Sequence, residues 1–164
     1  MPFCNPSSFF MRVNFKMTVI AFAVLCCANL CHGQQKYLKN QEINFIDSSW
    51  TEALKKATAE HKYIFVDAYA VWCAPCKQLK ETTFKNSKVA DYFNANFVNL
   101  MINVEKGQGI ELASKWGLES YPTLYILDGQ GNLIASAEGI INAPDLIKFA
   151  QKVLNKEHTE INAN

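Results

Sequence analysis

Five segments of the chain carry the apolar patterns that are typical of β-strands. Residues 63–69 are rich in β-branched and aromatic side chains and apolar almost throughout, which favours a central strand covered on both faces. Residues 97–104 have the same character. Residues 121–127 and 133–137 flank a tight Asp-Gly-Gln-Gly turn, and this arrangement predicts a β-hairpin. A short first strand is predicted at residues 43–46.

Between these strands, apolar side chains recur at the three- and four-residue spacing of helices. Ser49 and Glu52 have the form of a capping box, so the first helix should begin there and end near Glu60. Further helices are predicted at residues 73–83, from Ser87, at 110–116 before Gly117, and from the Asn-Ala-Pro-Asp cap at 142–145. Parallel strands followed by an antiparallel hairpin predict one compact α/β domain, with a central mixed β-sheet flanked by helices on both faces.

The beginning of the chain differs from the rest. Arg12 and Lys16 precede a short apolar run at residues 17–30, and small side chains follow before Gln34. This order is typical of a secretory signal peptide, with cleavage after Gly33. A membrane anchor is one alternative, but the run is shorter than the ~20 residues that a spanning helix needs. A lipid anchor is another, although the small residues that normally precede the modified cysteine are missing.

Export defines the expected domain organisation and compartment. We expect a periplasmic or secreted protein that has no membrane span once the signal is removed. The predicted parts are a signal peptide at 1–33, an arm with the short strand at 34–48, a folded domain at 49–155 and a polar tail at 156–164.

Charge and cysteine content argue against several classes of protein. The chain has 16 Lys+Arg against 15 Asp+Glu, which gives no reason to expect nucleic acid or a membrane surface as a partner. Four of the six cysteines lie within the predicted signal peptide, so the mature chain retains only Cys73 and Cys76. A single pair cannot form the disulfide framework of a small stapled domain.

Cys73 and Cys76 form a Cys-Ala-Pro-Cys motif at the predicted junction of a strand and a helix. Such a motif in an α/β pattern predicts thiol–disulfide exchange. The amides at a helix N-terminus favour the thiolate of Cys73, which would attack a substrate disulfide. Cys76, on the same helix face, would then displace the substrate and close the bond between the two cysteines.

An inert local disulfide and a metal site are the alternatives for this pair. Zinc needs about four ligands, and the mature chain adds only His61 and His158 to the two cysteines. Covalent haem attachment is unsupported because Lys77, not a histidine, follows Cys76. No cofactor or metal is therefore predicted.

Three motifs together resemble the thioredoxin superfamily. They are the cysteine segment at residues 66–77, Leu-Ala-Ser-Lys-Trp-Gly-Leu at 112–118 and Tyr-Pro-Thr at 121–123. The Glu-Thr-Thr-Phe sequence at 81–84 further resembles an exported bacterial branch, which includes the periplasmic C-terminal domain of the transmembrane thiol:disulfide interchange reductase. The resemblance covers residues 49–154 and implies a thioredoxin fold and disulfide oxidoreductase activity.

Asp67 is an acid within an apolar strand, at the position of the family's buried aspartate. Burial should raise its pKa and keep it partly protonated, which suits a proton shuttle for Cys76. The alternative is a strand-end acid that faces solvent. In thioredoxin itself a lysine on the next strand neighbours this aspartate, whereas Met101 occupies the matching position here. We therefore expect Asp67 to be harder to ionise.

The resemblance also implies three substrate-binding residues. Pro122 matches a cis-proline that faces the cysteines, and the backbone of Tyr121 would pair with an extended substrate. Trp72 would shield the cysteines, with a role in the core as the alternative. Trp50 and Trp116 are expected in the core.

The dipeptide between the cysteines, Ala74-Pro75, carries no charge and lacks the histidine that strong oxidants often have there. This favours a reductase or isomerase that acts on protein disulfides or dithiols outside the cytoplasm and is re-reduced by a membrane-bound electron donor. An oxidant that introduces disulfides is the alternative within the same class. A thioredoxin-fold binding module, whose cysteines stay oxidised, is the alternative from another class.

Overall fold

The computed structural model of the protein describes residues 42–47 and 49–161, and the predicted signal peptide lies outside them. Strands and helices alternate along this part of the chain as β1 (Phe45–Asp47), α1 (Trp50–Glu60), β2 (Tyr63–Tyr69), α2 (Ala74–Glu81), α3 (Ser87–Asn96), β3 (Phe97–Asn103), α4 (Gln108–Trp116), β4 (Thr123–Leu127), β5 (Leu133–Glu138) and α5 (Ala143–Ile161). The predicted order of elements is confirmed. None of the helices in the described ranges combines the length and the apolar character needed to cross a membrane.

The strands form one mixed sheet in the order β1-β3-β2-β4-β5. β1, β3 and β2 run parallel, whereas β4 is antiparallel to β2 and β5 is antiparallel to β4. The carboxyl ends of the parallel strands therefore lie beside the amino end of β4. Ala68 near the end of β2 pairs with Thr123 at the start of β4. The segment that follows β2 and the segment that precedes β4 consequently meet at one end of the sheet.

Alternation of side chains along β2 divides the core into two layers. Ile64, Val66 and Ala68 belong to the cluster beneath α1 and α4. Phe65 belongs to the opposite cluster, with side chains of α2, α3 and α5. Helices thus cover both faces of the sheet, which confirms the predicted α/β fold class. Asp67 lies two residues beyond Phe65, so its side chain points to the α2 side of the sheet.

Glycines allow α4 to pack closely against the end of β3. A Cβ atom on Gly109 would lie 2.0 Å from the carbonyl oxygen of Asn103, so only glycine fits there. Gly117 ends α4 in the left-handed conformation, with φ at 63°, as the sequence predicts. Within this layer Trp50 and Trp116 pack edge to face, with ring centroids 5.4 Å apart, which confirms their expected place in the core.

Several predicted boundaries differ from the structure, and three of the differences have a clear physical reason. β1 begins at Phe45 because the Ile43 amide donates to the carbonyl of Phe84 (3.0 Å) rather than joining the sheet. β4 begins at Thr123, after Pro122, which has no N–H to donate to a neighbouring strand. The segment predicted as a polar tail from residue 156 continues α5 as far as Ile161. Its lysine and glutamates are good helix formers, and no proline or glycine interrupts it.

Candidate active site

Cys73 and Cys76 are joined by a disulfide bond at the start of α2, with their Cα atoms 5.3 Å apart. Cys73 is the N-cap residue of the helix, and its Sγ accepts a hydrogen bond from the Cys76 amide (3.0 Å). Pro75 lies in the first turn, where its missing N–H costs no helical hydrogen bond. The helix therefore directs a backbone amide at the sulfur of Cys73, as the motif predicts.

Trp72 and Tyr121 form an aromatic rim beside the cysteines. Trp72 is 62% exposed, so the alternative role in the core is wrong. Its indole N–H donates to the Glu105 carboxylate (2.8 Å), and its ring meets that of Tyr121 edge to face at 5.2 Å. Tyr121 in turn packs against the buried cluster that contains Cys73 and Cys76. The hydrogen bond and the ring contact together hold the indole at the mouth of the site.

Pro122 lies at the same end of the sheet, because it directly precedes β4. The Tyr121–Pro122 peptide bond is cis, as the resemblance implies. Pro122 is buried, and its carbonyl oxygen accepts a hydrogen bond from the Gly139 amide (2.8 Å). The proline is thus held next to Tyr121, the residue through which this segment contacts the cysteines.

Asp67 lies on the α2 side of β2 and lines a cavity of about 220 Å³ together with Cys76. The residue is 2% exposed, so the alternative of a solvent-facing acid is wrong. Its Oδ1 has no hydrogen-bond partner among the described residues. Burial raises the pKa of the Asp67 carboxyl to about 7, while the positive charge of Lys80 acts in the opposite direction. Near neutral pH this carboxyl can therefore both accept and donate a proton.

Sequence reasoning missed two residues of the site, Lys80 and Glu105. Met101 is the β3 neighbour of Asp67, as predicted, but Lys80 brings a positive charge to the same cavity from α2. The signal for Lys80 was its position four residues after Cys76, which places both side chains on one helix face. The signal for Glu105 was its position just after β3, at the end of the sheet where Cys73 also lies.

Comparison with known proteins identifies the family. A family model described as a thioredoxin-like domain matches residues 50–154. The chain belongs to this thioredoxin-like family. The thiol:disulfide interchange protein DsbD of Vibrio vulnificus is 30% identical over 125 residues, which cover 71% of this chain and 21% of that protein. A protein disulfide-isomerase of Ricinus communis is 25% identical over 147 residues, which cover 90% of this chain and 28% of that protein. The chain thus spans less than a third of the length of either relative.

Solved structures agree with the family assignment. A proposed disulphide-isomerase from Bacteroides thetaiotaomicron is 44% identical, with a TM-score of 0.63 over 70% of this chain and 94% of that one. A thioredoxin from Thermus thermophilus is 21% identical with a TM-score of 0.61, over 68% of this chain and 88% of that one, and shows the shared fold. The predicted thioredoxin fold and the predicted class, a thioredoxin-like oxidoreductase, are confirmed.

Proposed function

We propose that this protein is an exported thiol–disulfide oxidoreductase that reduces or isomerises disulfides of other extracytoplasmic proteins. The observation that carries the proposal is that the two cysteines lie in different environments. Cys73 caps α2 and receives a backbone N–H, whereas Cys76 shares a cavity with the buried, ionisable Asp67. These contacts support a thiolate role for Cys73 and a role for Cys76 as the thiol that gives its proton to Asp67.

The reaction follows from these two environments. In the reduced protein the Cys73 thiolate attacks a substrate disulfide, which forms a mixed disulfide and releases one substrate thiolate. Cys76 then passes its proton to the Asp67 carboxylate and attacks the Sγ of Cys73. The bond between the cysteines forms, the bond from Cys73 to the substrate breaks, and the second substrate thiolate leaves. The product is the oxidised state seen in the structure.

Trp72, Tyr121 and Pro122 supply the proposed surface for the polypeptide around the substrate disulfide. The exposed indole is already held by Glu105 and Tyr121, so little side-chain freedom remains to be lost when a substrate packs on it. Pro122 keeps the backbone of Tyr121 at the mouth of the site, where an extended substrate segment would pair with it.

Replacing Trp72 with alanine is expected to raise KM for a protein disulfide about threefold to tenfold, because the substrate loses an aromatic contact. Activity on a small aromatic disulfide, which needs no polypeptide contact, should change less. Ile134→Ala is a suitable control, since Ile134 is also an exposed apolar residue and lies on β5, outside the rim. Equal losses on both substrates would contradict a role in polypeptide binding.

Export and re-reduction belong to the same proposal. Support for export comes from the signal-like order of charged, apolar and small residues at the beginning of the chain. A reductase that works in an oxidising compartment consumes electrons with every turnover. We therefore propose a membrane-bound electron donor that reduces the Cys73–Cys76 bond after each cycle.

The direction of electron flow is tested by the redox equilibrium of the cysteine pair against glutathione. The neutral Ala74-Pro75 dipeptide adds no charge to stabilise the Cys73 thiolate. We therefore expect a reduction potential closer to the value of about −270 mV found for thioredoxin than to the value of about −120 mV found for the oxidant DsbA. A potential near the second value would instead establish the alternative, an oxidant that introduces disulfides.

A further inference from the structure

The cavity beneath α2 contains more charged side chains than the exchange reaction described above uses. Besides Asp67 and Cys76, its titratable or charged lining residues are Tyr69, Lys77 and Lys80. Tyr69 continues β2 beyond Asp67, whereas both lysines extend from α2. Among the described residues, the positive charges that line this cavity therefore come from the helix that carries the cysteines.

The strands on either side of Asp67 supply no charge. Its partner on β3 is Met101, and its partner on β4 is Leu124, which is fully buried. Cys76 and Lys80 are four residues apart on α2, so both lie on the helix face that covers the carboxyl. Of the two lysines, Lys80 is the one whose charge acts on the pKa of Asp67, and it lowers that pKa.

We propose that Lys80 is a positioning residue for the exchange reaction, whose ammonium group holds Asp67 in the carboxylate form that accepts the proton of Cys76. This inference rests on the proposed function. The carboxyl is buried and its Oδ1 has no hydrogen-bond partner among the described residues, so the positive charge of Lys80 on the same cavity helps to compensate the carboxylate. Lys80 thus acts on the resolving step through Asp67 and needs no contact with the substrate.

Lys80 also lines a neighbouring cavity of about 350 Å³ that contains Glu42 and Asp47. Burial is the larger influence on the pKa of Asp67, and the charge of Lys80 offsets it only in part. The pKa of Asp67 therefore stays near neutrality. At that pH a large fraction of the carboxyl is ionised and can accept a proton, and the group is basic enough to hold it.

The test is the pH dependence of the rate of the resolving step. Stopped-flow mixing measures that rate as the release of substrate from the mixed disulfide. We expect Lys80→Met to slow this step about fivefold at pH 7, because a smaller fraction of Asp67 is ionised. The difference should vanish above a pH of about 9, where Asp67 is ionised in both proteins. Lys77→Met makes the same charge change on the same helix and should leave the profile unchanged. Lys80→Arg keeps the charge and should restore it.

A direct titration separates this inference from the proposed function. The ¹³C chemical shift of the Asp67 carboxyl, followed against pH in the intact oxidised protein, should show a higher pKa in Lys80→Met and an unchanged pKa in Lys77→Met. If the pKa moves but no disulfide exchange occurs, the proposed function is wrong and the influence of Lys80 on Asp67 stands. An unmoved pKa, equal effects of the two lysine variants, or a loss of rate at every pH would overturn the inference.

Discussion

Cys73→Ser is expected to lower the catalysed reduction of insulin by dithiothreitol about a thousandfold or more, to the uncatalysed rate. A serine hydroxyl is of similar size but does not ionise near neutral pH and cannot form a mixed disulfide. The fold should survive, because the change is small and the oxygen can still cap α2 by accepting the amide of residue 76. Turbidity of precipitating insulin measures the rate, and circular dichroism checks the fold.

Cys76→Ser is the matched variant for the same experiment. It retains the nucleophile but not the resolving thiol, so after reduction and removal of the dithiothreitol it should accumulate a mixed disulfide with insulin, which mass spectrometry detects. If Cys73→Ser accumulated that adduct instead, the roles of the two cysteines would be reversed. Undiminished activity of Cys73→Ser would contradict the proposed enzymatic disulfide exchange. It would favour the alternative of a binding module whose cysteines stay oxidised.

The features that sequence predicted well are those that are encoded locally. The apolar run of β2 specifies a covered strand, and the alternation along it puts Asp67 on one particular face. The Cys-Ala-Pro-Cys motif specifies the turn and the start of α2, because a residue without an N–H is tolerated in the first turn. Both predictions rest on neighbours in the chain, and both are confirmed.

The features that sequence missed depend on packing between distant segments. The indole of Trp72 meets Glu105, 33 residues further along the chain, because the carboxyl ends of β2 and β3 lie side by side. A core position was an alternative for Trp72 because the sequence of an apolar segment does not show whether an aromatic side chain in it is buried or exposed. The sequence predicts no cation near Asp67, because Met101 occupies the matching position on the next strand. A positive charge comes instead from Lys80 on α2, which only the packing of that helix against the sheet shows.

Asp67 illustrates a conflict between stability and chemistry. Its pKa is about 7 in the folded protein, against 3.8 for an exposed aspartate, so the folded state binds more protons than the unfolded state between these values. The contribution of Asp67 to the free energy of unfolding should therefore be highest below pH 4 and be lost as pH rises from there to about 7, by about 4 kcal/mol in total. A neutral side chain at this position avoids the cost of burying the charge.

Asp67→Asn is accordingly expected to be more stable than the natural protein above pH 7, by about 2–4 kcal/mol, and nearly equal to it at pH 4. Urea unfolding of the oxidised protein at several pH values measures the difference. Glu119→Gln, a change of the same kind at an exposed acid, should leave the pH dependence as it is. Parallel stability curves for Asp67→Asn and the natural protein would contradict a raised pKa at Asp67.

The same substitution is expected to slow the exchange reaction, and to slow one step more than the other. Attack by Cys73 depends on the amides at the start of α2, which Asp67→Asn leaves in place. Resolution by Cys76 loses its proton acceptor and should slow about a hundredfold at pH 7, within the range for loss of a general base. Rapid-mixing measurements of mixed-disulfide formation and decay separate the two steps, and equal slowing of both would contradict the proton-transfer role. A variant that is more stable but resolves slowly would show that this buried charge is kept for its chemistry.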